Sequence, residues 1–66
     1  MQTIYDVQQF LKSYGTIIYV GDLQLMKSEI KELYHSQLIK EQEFDSAMRL
    51  LNHEIQHLTD EKNRGN

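Results

Sequence analysis

Apolar residues recur along this chain in three runs of helical spacing, separated by two short breaks. In the first run Ile4, Val7, Phe10, Leu11 and Tyr14 fall on one face. Thr3 stands where a helix N-cap belongs, and Asp6 follows at the third helical position, where a carboxylate favours the N-terminus. Gly15 can close the helix in the left-handed conformation, so the spacing predicts a helix over 4–14. The second run is Leu23, Met26, Ile30, Leu33 and Gln37, joined by Tyr34. With Asp22 as its N-cap it predicts a helix over 23–36. The third is a ladder of Phe44, Met48, Leu51, Ile55 and Leu58, whose 4-3-4-3 spacing marks one face of an amphipathic helix. Ile39 and Phe44 are spaced as a hydrophobic staple around Lys40, a poor cap, while Glu41 and Glu43 complement the helix dipole. This helix is expected over 41–62, about 33 Å at 1.5 Å per residue.

The break between the first two helices has a different character. Thr16 to Val20 are all β-branched or aromatic, a strand-like composition, but no second strand is visible for pairing. An isolated strand is not stable, so an extended connector packed on the core is expected. Pairing of this segment with a second molecule is the alternative. Three amphipathic helices with short connections predict an all-α, three-helix bundle with a long C-terminal helix, forming one domain over 1–62 with a frayed tail at 63–66. The third helix outruns the other two. Ile55 and Leu58 on its outer turns are therefore candidates for self-association with a second copy.

Size and charge narrow the functional classes. A chain of 66 residues buries only about 60% of its unfolded surface, which leaves little room for an enclosed active site. With no cysteine there is neither a disulfide framework nor a thiolate metal site, which fits a reducing cytoplasm. No apolar run approaches the roughly 18 residues of a membrane span, and no basic-then-apolar leader follows Met1, so a soluble cytoplasmic protein with no membrane contact is expected. Ten acidic residues outnumber seven basic ones, for a net charge of -3. Non-specific nucleic-acid binding therefore needs a local basic patch rather than overall charge.

The segments Tyr5-Asp6-Val7-Gln8-Gln9-Phe10-Leu11-Lys12-Ser13-Tyr14-Gly15, Ile18-Tyr19-Val20-Gly21-Asp22 and Glu32-Leu33-Tyr34 resemble the YqgQ-like family of small bacterial proteins. The resemblance implies a cytoplasmic three-helix bundle with no established activity, and at most a suggestion of single-stranded nucleic-acid binding. A shorter stretch, 30–51, is similar to SHOCT helical-hairpin modules, through Ile30-Lys31-Glu32-Leu33-Tyr34, Leu38-Ile39, Gln42-Glu43-Phe44 and Leu50-Leu51. Those modules carry glycine before the apolar pair and a Ser, Thr or Asp cap; here Gln37 and Lys40 stand instead.

One motif suggests catalysis. His53-Glu54-Ile55-Gln56-His57 matches the H-E-x-x-H pattern of zinc metalloproteases. The ladder, however, turns His53 and His57 to solvent, and Asn63 occupies the position six residues on where a third ligand would stand. The motif is therefore read as a solvated helix face, with no metal and no cofactor. No nucleophile has a neighbouring base and no Gly-rich phosphate loop exists, so no enzyme is expected.

The remaining candidates are for binding. Lys27 and Lys31 stand four apart with no acidic residue three or four positions from either, a mildly unfavourable pair that suits an anion contact. Phe10, Tyr14, Tyr34 and Phe44 are expected in the core. Tyr5, on the face of Gln8 and Lys12, and Tyr19 in the connector are expected to be exposed. Tyr5, Lys12, Tyr19, Lys27 and Lys31 are thus the candidate surface for stacking and phosphate contact with single-stranded RNA or DNA. The alternative is a protein partner or a second copy, held by the long third helix.

Overall fold

A computed structural model gives the architecture, with the backbone described over residues 1–63 and side chains as far as Leu58. Three helices follow one another: α1 spans Ile4–Ser13, α2 Leu23–His35 and α3 Glu41–Asn63. There is no strand among the described residues. Asn63, expected in the tail, still belongs to α3, while the rest of that tail, residues 64–66, lies outside the described residues.

Each N-terminus is built by the residues that predicted it. Thr3 accepts the Asp6 N–H in its side-chain oxygen, and the Asp6 carboxylate in turn accepts the Thr3 N–H at 3.0 Å, a reciprocal capping box. Asp22 caps α2 by accepting the Leu25 N–H at 3.2 Å. Lys40 offers no side-chain oxygen, so only half of the box exists on α3, where Glu43 accepts the Lys40 N–H at 2.8 Å.

The first two helices end alike. At α1 the Thr16 N–H reaches Leu11 O and the Gly15 N–H reaches Lys12 O. At α2 the Leu38 N–H reaches Leu33 O and the Gln37 N–H reaches Tyr34 O. Both are Schellman closures, with Gly15 at φ 89° and Gln37 at φ 62° in the left-handed position. Gln37 therefore does not continue the apolar stripe of α2; it is exposed and turns the chain into α3. Tyr14 is a second correction. It is the C-cap of α1 rather than a core residue, 41% exposed, with its ring edge-on to Phe10 at 5.2 Å.

The core consists of Val7, Leu11, Ile18, Leu23, Met26, Ile30, Ile39, Ala47 and Leu51. On α3 the buried line runs through Ala47 and Leu51, with Phe44, Met48 and Ile55 half-buried beside it and Leu58 exposed. The tyrosine of α2 and the phenylalanine of α3 meet face to face, Tyr34 on Phe44 at 4.2 Å. The Tyr14 hydroxyl donates to Leu38 O at 3.4 Å, and the Ser46 hydroxyl to Met1 O at 3.5 Å. These contacts set α1 antiparallel to α3 and parallel to α2. The chain must therefore travel back along the bundle between α1 and α2, and residues 14–22 do so.

Candidate functional site: the α1–connector surface

Gln8 fixes the return path. Its side-chain amide donates to Ile18 O at 2.8 Å, tying the connector to the middle of α1. Ile18 is thereby pressed into the core, only 4% exposed, while its neighbours Ile17 and Tyr19 are 81% and 78% exposed. The pattern is that of a strand, in which successive side chains take opposite faces. Asp22 N–H closes the turn on Tyr19 O at 2.9 Å, and the Tyr19 ring lies over Gly21, where a Cβ would collide with it.

On α1, Tyr5, Gln8 and Lys12 form one row, so the exposed Tyr5, at 61%, and Lys12 flank the connector. Tyr5, Lys12 and Tyr19 are thus gathered around α1 and the connector. Lys27 and Lys31 stand elsewhere. They share a row of α2 with Tyr34, whose ring stacks on α3, so this row borders the α2–α3 groove. Lys27 is half-buried and Lys31 exposed. The five residues form two groups, one on α1 and the connector and the other on α2. Ile17 was missed as a site residue, though the alternation of an extended segment with Ile18 inward would have turned it outward.

Ile55 and Leu58 line a shallow pocket of about 250 Å³ with Gly21, Asp22, Leu23 and Gln24, where the connector's turn meets the outer part of α3. His53 and His57 are both exposed on α3, and no group of three His, Cys, Asp or Glu stands together to hold a metal among the described residues. At the start of α1 a carboxyl is held in its charged form by the backbone. The N–H groups of Gln2, at 2.9 Å, and Thr3 hold the Asp6 carboxyl below its usual range. No helix among the described residues is long and apolar enough to cross a membrane.

Comparison with known proteins identifies the family. The model of the YqgQ-like family matches residues 1–57. "Uncharacterized protein YqgQ" of Bacillus subtilis (strain 168) is 42% identical over 60 residues, covering 85% of this chain and 84% of that protein. No solved structure matches. The family match takes in both the capped α1 and the connector pinned to it, and the chain belongs to the YqgQ-like family.

Proposed function

We propose that this protein acts in the cytoplasm by binding, with no catalysis of its own, and that its contact surface is formed by α1 and the connector. The observation that carries this reading is the outward display of Ile17 and Tyr19, 81% and 78% exposed, on a segment that Gln8 holds in place. Large apolar side chains held rigidly in water lose little conformational entropy when covered, which favours association. Tyr5 widens the same surface.

A protein partner suits this surface better than a nucleic acid does. Ile17 has no ring to stack on a base, Lys12 is the cation of the α1 row, and the chain carries a net charge of -3. The second reading, contact with single-stranded RNA or DNA, draws on the exposed Tyr5 and Tyr19 beside Lys12. Titration with a short single-stranded oligonucleotide separates the two. The protein-docking reading expects no binding at about 50 mM salt; binding that weakens steeply toward about 200 mM and is lost in Tyr19→Ala would replace it with the second.

A further inference from the structure

The connector offers more than side chains. Its backbone alternates as a strand does: Ile18 turns its carbonyl toward α1 and the Gln8 amide, so Ile17 and Tyr19 direct their main-chain groups to the opposite edge. Among the described residues, the N–H and C=O of Ile17 and the N–H of Tyr19 have no hydrogen-bond partner, while the Tyr19 C=O accepts the single N–H of Asp22. An unpaired edge of this kind is a template for another extended chain, and proteins ordinarily guard it with lysine, proline or a bulge. This edge has no such guard. From Tyr14 to Gly21 there is no charged residue and no proline.

Resting on the surface reading above, we infer that the occupant of this edge is the same segment of a second copy, paired antiparallel across a two-fold axis at Ile18. In that register Ile17 of each copy faces Tyr19 of the other as a hydrogen-bonded pair. The Ile17 N–H donates to the second lone pair of the partner copy's Tyr19 carbonyl, whose first takes the Asp22 N–H of its own chain, and the Tyr19 N–H donates to the partner copy's Ile17 carbonyl. The two resulting aromatic–aliphatic cross-strand pairs are among the stabilising kinds. Charge selects the direction. The uncharged window is bounded by Lys12 on one side and Asp22 on the other, so antiparallel pairing sets each Lys12 end against the other copy's Asp22 end, whereas parallel pairing sets like against like. Ile18 stays in its own core, so neither copy needs to unfold.

Sedimentation equilibrium of the full chain over a wide concentration range tests this, with amide hydrogen exchange measured at both ends of the range. The expected result is a reversible dimer in which the Ile17 and Tyr19 amides gain protection as concentration rises. Ile17→Pro, which removes an N–H with no partner inside the chain, and Ile17→Lys, which charges an exposed edge, each weaken the dimer by about tenfold or more. Circular dichroism confirms that each variant retains its helices. A monomer at every concentration overturns the pairing, while the surface reading stands or falls separately on the oligonucleotide titration. A dimer that leaves both amides unprotected and survives Ile17→Lys also overturns it, and weakening by Leu58→Ala would then assign the interface to the end of α3.

Discussion

Two residues at matched positions carry opposite conformational costs. Gly15 and Gln37 occupy the same left-handed site of the same closure, but a side chain there crowds the backbone by about 1 kcal/mol or somewhat more. Gln37→Gly is therefore expected to stabilise the protein by about 1 kcal/mol, and Gly15→Ala to destabilise it by a similar amount, both read from urea unfolding midpoints. Gly15 has open space around it, so the second effect comes from the backbone alone. Asp6 carries a pH dependence. Its carboxyl is held below the usual 3.8 by the Gln2 and Thr3 N–H groups, so its contribution to stability is complete above that value and lost as pH falls through the lower folded one. In Asp6→Asn this part of the acid limb should vanish from stability measured between pH 5 and pH 2, with stability at pH 7 reduced. The capping residues were legible in the sequence because a cap acts within four residues. Gln37 was not, because its polar side chain continued the spacing of the α2 stripe and, although the helix was expected to end at 36, no glycine marked the left-handed position after it.

At the scale of the elements, α3 shows how spacing alone misplaces the centre of a buried face. The ladder from Phe44 to Leu58 identified the helix correctly, but the fully buried positions are Ala47 and Leu51, and Leu58 is half exposed. Alanine is weakly apolar, so it drops out of a stripe drawn from large side chains. It is fully buried, in the same core as Leu51, Met26 and Ile30. Leu51→Ala should cost about 2–5 kcal/mol, whereas Leu58→Ala should leave monomer stability almost unchanged; thermal unfolding of the two variants checks the contrast. Ala47→Leu should cost about 1–3 kcal/mol by overpacking, although it strengthens the helical pattern on paper. The same register keeps His53 and His57 on the exposed side of α3, and no stoichiometric zinc should remain on the protein after dialysis, as measured by metal analysis.

The whole molecule turns on the direction of α1. Because α1 and α2 run parallel, the chain between them cannot be a tight turn. Its return stretch is long enough to display two large side chains and a free backbone edge. Antiparallel neighbours would have needed only a few residues and shown none of this. The connector's extended form was legible from its β-branched composition, and so was the absence of a strand among the described residues. The exposure of Tyr19 was legible as well, but that of Ile17 was not, because it depends on the Gln8–Ile18 hydrogen bond, which joins residues ten apart. The Tyr–Lys surface divided for the same reason. Lys27 and Lys31 are near Lys12 in composition and sequence pattern, but rotation of α2 about its axis assigns them to the groove with α3.

By itself the sequence determined what short-range physics controls: three amphipathic helices, their caps, the glycine closure of α1, and the outward register of the His53–His57 motif. Only the tertiary structure decided the parallel sense of α1 and α2, the burial of Ala47 and the exposure of Tyr14. It also decided the division of the candidate binding residues into two groups and the presentation of Ile17. Each of these depends on how whole helices are rotated and directed against one another, and that arrangement is set by the sum of core contacts rather than by any local run of residues.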